Sequence, residues 1–210
     1  MSASIDSPKN AVSHMLFGLQ FSSFGWNAAL AHAEKLALSK DKPATIAFVD
    51  EGKIFSRLFG FGRDMPGRHL LLPADSVFLR LLLKFVWRKQ PVGARFSPAS
   101  FISALLTYFA EPCRIGLLGD NKGRLESLCR HFARHAPWHE FVAIAPDANL
   151  CGRLDLLIVD AAVADQRIED RLDGADIGLV IMAGRGLSRL VRPHAVSTGA
   201  QPSVSKPSLA

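Results

Sequence analysis

The chain has 210 residues, 49% of them hydrophobic and 21% charged, enough for one globular domain of roughly 100–200 residues with a tail left over, which excludes a wholly disordered protein. Its apolar stretches, Ile177–Ala183 among them, fall short of the about 20 residues a bilayer span needs, and Met1–Asn10 lacks the basic and then apolar pattern of a secretory signal. The formal net charge of +6 favours an anionic partner, whether nucleic acid, a phosphorylated ligand or an anionic membrane surface.

Residues 1–13 are polar and read as a loose start. His14–Gln20 is a short apolar strand. Asn27 is placed to cap a helix over Ala28–Leu38, where Leu30, Ala33, Leu36 and Ala37 recur at helical spacing. Ala44–Val49 follows Pro43 as a β-branched, buried strand. Gly60–Gly67 is glycine-rich and reads as a loop, and Leu70–Leu72 is a brief strand ended by Pro73. Helices are expected at Ser76–Arg88 and at Pro98–Phe109, the second opened by its proline.

The second half alternates more regularly. Strands are expected at Arg114–Leu118, Glu140–Ile144, Leu154–Val159 and Ile177–Met182, with helices at Arg124–His135 and Gln166–Leu172. Strands alternating with helices require crossover connections. They predict an α/β, Rossmann-like domain over residues 14–192, with a largely parallel sheet and helices on both faces. Pro193–Ala210 is rich in Pro and Ser, has almost no large apolar residue, and reads as a disordered tail.

Four features could carry chemistry. The stretch Ile115–Glu126 runs from an apolar strand through Gly119, Asp120, Asn121 and Gly123 into a helix start, with Lys122 and Arg124 adding positive charge. Glycine turns that open helices let backbone N–H groups approach a phosphate. The spacing matches neither the dinucleotide-binding nor the P-loop pattern, so an ordinary tight turn is the competing reading. In Val77–Lys89, Arg80, Lys84 and Arg88 fall four apart beside a very apolar remainder, which suits an anionic membrane surface, though amphipathic helices are more often packed on a core with one solvated face.

His131 and His135 share a helix face and His139 follows Pro137. Solvated histidines near a helix end are expected there rather than a metal site. Asp50, Asp75, Asp120 and Asp160 each stand where a strand ends, the position at which α/β sheets bind ligands. Cys113, Cys129 and Cys151 are an odd number with no close pair, so neither a disulfide framework nor a thiolate zinc site is expected, and a reduced cytoplasmic setting is the simplest reading.

From about Met15 to Val191 the order of elements resembles the WecB/TagA/CpsF family of bacterial glycosyltransferases. ATIAFVDE (Ala44–Glu51) resembles a strand ending in T-x-N, and LLLPADSVF (Leu70–Phe78) resembles L-x-L-P-D-G-x-G. RFSPASF (Arg95–Phe101) resembles R-x-x-G-x-D-L, and Arg114–Leu125 resembles the L-L-G-G loop with its helix. DLLIVDAAVADQ (Asp155–Gln166) resembles D-I-L-x-V-G-x-G-x-P-x-Q-E. Ala74 falls at the aspartate of the second motif, with Asp75 one place on. Asp50 stands for the asparagine of the first, and Pro98 and Ser100 for the glycine and aspartate of the third.

The resemblance implies an inverting, metal-independent transfer of a hexose from a UDP-sugar to a polyprenyl-diphosphate-linked acceptor, with no cofactor and no nucleic-acid partner. It implies a cytoplasmic protein, peripheral at the inner face of the plasma membrane, working beside other proteins of envelope or exopolysaccharide synthesis. Carried over residue by residue, it makes Asp75 the base. Asp50, Arg95, Gly119, Asp120, Asn121, Gly123 and Gln166 become nucleotide-sugar contacts, and the basic stripe of Arg80, Lys84 and Arg88, read from its helical spacing, fits as the membrane contacts. Two further readings stay open: a catalytically silent relative acting as partner or regulator in the same pathway, and an unrelated nucleotide-binding α/β protein.

Overall fold

A computed structural model describes residues 12–16, 19–39, 43–49, 68–75, 95–145, 147–148, 152–160, 172, 174–188 and 190–191. They form an α/β, Rossmann-like domain around an eight-stranded sheet. In chain order the elements are β1 (Val12–Leu16), β2 (Leu19–Ser23), α1 (Trp26–Ala37), β3 (Ala44–Val49), β4 (Arg68–Pro73) and α2 (Pro98–Tyr108). There follow β5 (Arg114–Leu118), α3 (Lys122–His135), β6 (Glu140–Ile144), β7 (Leu154–Val159), β8 (Ile177–Met182) and a 3₁₀ turn at Gly184–Leu187.

The strand order is β1-β2-β4-β3-β8-β7-β5-β6. Every described pairing is parallel except β1 with β2. The central strands are continuous apolar runs because both of their faces are buried. Ile115, Leu117, Leu156, Ile158, Leu179 and Ile181 meet the helices. Leu118, Leu157, Val159 and Val180 fill the opposite side, where Leu172 and Ala175 pack against them.

The three described helices share one face. α2 lies between α1 and α3 and buries Phe101, Ile102, Leu105 and Leu106. Phe101 meets Trp26, Phe48 and Phe96 edge-on, at centroid distances of 5.9, 5.8 and 5.4 Å. Gly178 is dictated by packing: a Cβ there would fall well inside contact distance of the Ala37 carbonyl oxygen, where α1 ends over β8.

Two local expectations change. The single strand expected at His14–Gln20 is an antiparallel hairpin in which Leu16 pairs with Leu19. The cap of α1 is Gly25, not Asn27, and Asn27 lies inside the helix. Trp26 opens the helix two residues before Ala28 because its ring stacks on Phe96 at 5.4 Å and 11°. That long-range contact outweighs the local capping preference of Asn27. The loop at Gly60–Gly67, the helix at Ser76–Arg88 and the tail from Pro193 lie outside the described residues, as does all of Gln166–Leu172 but Leu172.

Candidate functional site

The carboxyl ends of β5, β6, β7 and β8 are level, and those of β3 and β4, level with each other, lie two residues farther on. Leu118 pairs with both Ile144 and Val159, Val159 pairs with Met182, and Val49 pairs with Pro73. After neighbouring strands β5 and β7 the chain has described residues on opposite faces of the sheet. From β5 it enters α3, whose Leu125, Leu128 and Phe132 join the helix-side core. From β7 it returns to β8 past Leu172 and Ala175, on the other face. Such a reversal opens a crevice at the strand ends, the usual ligand position in an open α/β sheet.

Among the described residues an ion pair, Arg124 with Asp160, lies at these strand ends. α3 starts at Lys122, two residues earlier than expected, because the Asn121 side-chain oxygen accepts the Arg124 N–H at 2.9 Å and caps the helix. Arg124 therefore sits in the first turn. Its Nη2 donates to Asp160 Oδ1 at 3.0 Å, and its Nε donates to Asp160 Oδ2. This fork geometry is the strong form of the Arg–carboxylate bond. The Asp160 side chain is 3% exposed and that of Arg124 28%. The hydrogen bond to Asp160 raises the Arg124 pKa above its already high value.

Asp160 is also fixed through its backbone, where its N–H donates to the Leu118 carbonyl at 2.8 Å. Gly119 is buried, and a Cβ there would lie 3.0 Å from the Asp160 carbonyl oxygen. Its glycine is thus explained by the close approach of the β5–α3 turn to the end of β7. Arg124 does bring its charge to this turn, and a buried carboxylate of the same chain holds it. Asp120, Lys122 and Gly123 are exposed around the pair, while Asn121 spends its side-chain oxygen on the cap.

A second cluster stands at the end of β4. Asp75 and Arg95 approach to 3.8 Å, with side chains 63% and 35% exposed. The backbone brings them together: Ala74 bridges Phe96, the Phe96 N–H donates to Pro73, and the Asp75 N–H donates to the Phe96 carbonyl. Beneath them Trp26 stacks on Phe96. An ion pair this exposed contributes little to stability, so both groups stay accessible to a ligand.

The expected site residues thus form two groups. β3, β8 and β7 separate β4 from β5, and four strand spacings amount to about 19 Å. Asp75 and Arg95 belong to one end of that span, and Gly119, Asp120, Asn121 and Gly123 to the other. Only an extended ligand lying across the strand ends would touch both. Asp50, Gln166, Arg80, Lys84 and Arg88 lie outside the described residues.

Two residues escaped assignment to the site in the sequence. Asp160 was one of four strand-end carboxylates, with nothing local to connect it to Arg124, 36 positions away. Trp26 carried only a faint signal, an aromatic directly after Gly25 at a helix start.

The remaining reactive groups have structural explanations. His139 is buried rather than solvated, a correction to the expected histidine surface. Its Nδ1 accepts the Cys113 N–H at 3.0 Å, and its Nε2 lies 2.7 Å from the Leu106 carbonyl, to which it donates. His135 Nε2 meets the Ser103 carbonyl at 3.0 Å. Among the described residues no group of three or more His, Cys, Asp or Glu could hold a metal ion. Burial, reinforced by Asp155, Glu34 and Glu111, pushes the Cys113 thiol up to about 11. Burial and then Glu126 raise that of Cys129. Neither is a thiolate nucleophile near neutrality.

Among the described residues no helix is long and apolar enough to cross a membrane. Compared with protein-family models and with curated proteins, the chain matches none.

Proposed function

We propose that this chain is a glycosyltransferase-like protein of bacterial envelope or exopolysaccharide synthesis. It would transfer a hexose from a UDP-sugar to a polyprenyl-diphosphate-linked acceptor, at the inner face of the plasma membrane and beside other proteins of that pathway. The observation that carries this reading is the meeting of Asp75 and Arg95 at 3.8 Å. The resemblance assigns one as base and the other as a contact to the nucleotide sugar, and both stand on the strand-end side of the sheet.

In the proposed reaction the Asp75 carboxylate removes the proton of the acceptor hydroxyl as that oxygen bonds to the anomeric carbon. The bond from the anomeric carbon to UDP breaks on the opposite side, which inverts the centre. UDP departs with the electron pair, its charge met by Arg95. The test supplies a panel of UDP-hexoses with lipid-diphosphate acceptors to the wild type and to Asp75→Asn. A base of this kind contributes about 10²–10⁴-fold to the rate, so a loss of that size in a stably folded variant supports the assignment. Unchanged turnover in the variant removes Asp75 from the mechanism.

The second reading, a catalytically silent relative acting as a partner or regulator, is favoured by Arg124 and Asp160. Along DLLIVDAAVADQ, Asp160 falls at the first glycine of the motif V-G-x-G. In place of a glycine the chain carries a carboxylate whose side chain is buried and already bound to Arg124, in the first turn of α3. Absence of turnover across the whole donor panel favours this reading.

A further inference from the structure

We infer that β6 is an interface strand: its open edge pairs with β6 of a second copy of this chain, joining two sheets into one across a two-fold axis at Val142.

β6 ends the strand order, and among the described residues it pairs only with β5. The Glu140 N–H donates to the carbonyl of Cys113, directly before β5. By the alternation of a strand, Phe141 and Ala143 therefore turn their N–H and C=O groups away from β5. Ala143 is exposed. Open edges are ordinarily blunted by lysine, proline, a bulge or an inward-pointing charge. β6 reads EFVAI, its register against β5 is unbroken, and its one charge, Glu140, is met by Arg114 at 3.4 Å.

The strand's own pattern selects the occupant. With the axis at Val142, antiparallel copies set Phe141 opposite Ala143 on each side of it, and those outward residues exchange both of their backbone bonds. Phe141 stacks on Phe132 on the helix side of the sheet, at a centroid distance of 6.1 Å. Ala143 shares that side, so a large ring comes to lie beside a small exposed residue. An axis at Phe141 or at Ala143 would instead oppose two large or two small side chains.

α3 obeys the same symmetry. It packs on both β5 and β6. A helix seated between those strands comes to about 10 Å from its copy across paired edges about 4.8 Å apart, the spacing of packed helices. α2 holds one flank of α3, where His135 meets the Ser103 carbonyl at 3.0 Å. Glu126 lies on the opposite side of the helix from His135, and both Glu126 and Arg130 are exposed. Antiparallel copies of α3 set Glu126 of each against Arg130 of the other. The flank is thus complementary in charge to itself, as an isologous contact requires.

The experiment measures sedimentation equilibrium of the full chain across the micromolar range, with folding checked by circular dichroism. The wild type should be a dimer. Ala143→Lys and Ala143→Pro change an exposed residue whose N–H points away from β5, so they should fold and dissociate at least about tenfold more readily. Glu126→Arg and Arg130→Glu, each alone, set like charges together and should weaken the dimer. An equimolar mixture of these two variants restores both opposite-charge contacts and should regain it.

A wild type that stays monomeric throughout overturns the inference. So does a dimer that neither folded Ala143 variant weakens, or a mixture no tighter than its parts. Unfolding of both Ala143 variants also overturns it, because an open edge must be dispensable to the fold. Turnover is not among the readouts, so the result stands apart from the transferase reading.

Discussion

The His139 ring accepts the backbone N–H of Cys113 at 3.0 Å. Its other nitrogen, 2.7 Å from the Leu106 carbonyl, ties the end of α2 to the start of β5 and to the turn before β6. One ring thus satisfies a buried donor and a buried acceptor. His139→Ala should leave both unpaired at about 1–3 kcal/mol each. Urea unfolding should show a lower midpoint with little change in slope.

The Arg124–Asp160 pair should be asymmetric under mutation. Arg124→Ala strands a carboxylate that is 3% exposed and should cost about 3 kcal/mol, the lower end of the range for breaking a buried pair. Asp160→Ala frees a guanidinium that can turn to water, and should cost about 1 kcal/mol, as for an exposed pair. Equal losses in denaturant melts of the two variants would contradict the geometry described for the crevice.

Stability should fall on mild acidification. Burial and then Lys35 hold His32 below its ordinary value of 6.5. Burial, His135 and Arg134 do the same for His131. Below pH 6.5 the unfolded chain takes up protons that the folded chain resists, so this contribution is whole above 6.5 and lost as the pH drops toward the lowered folded values. Melting temperatures measured from pH 8 to pH 5.5 should fall, and His32→Phe should flatten part of that fall.

Asp75→Asn should leave the melting temperature nearly unchanged, within about 0.5 kcal/mol, because the pair it breaks is exposed. A change in turnover in that variant then reports on chemistry. Gly178→Ala should behave in the opposite way. Its methyl meets the backbone of Ala37, a group that cannot rotate aside, and overpacking of this kind costs about 1–3 kcal/mol.

What the sequence discloses depends on how far each signal reaches. The ranges of β5, β6, β7 and β8 are legible to the residue, because a buried strand is a short apolar run between polar punctuation. The hairpin at Val12–Ser23 is not: one apolar run spans most of both strands, and only pairing divides it. The start of α1 is set by Trp26 stacking on Phe96, 70 positions away by number, which no local rule contains. At the site, Gly119 and Asn121 are visible as a turn and a helix start. That Arg124 is claimed by Asp160 depends on the order of β5 and β7 in the sheet.

The backbone junction at Ala74 and Phe96 has a consequence for how this fold can vary. Residues 75 and 95 are held side by side, so the intervening stretch begins and ends at one point on the sheet. The entropy of closing such a stretch grows slowly with its length, by about 0.6 kcal/mol for each doubling. The register of β4 against β3 is fixed independently by their own pairing. The alignment of β4 with β3 therefore does not depend on the length of the stretch that joins positions 75 and 95.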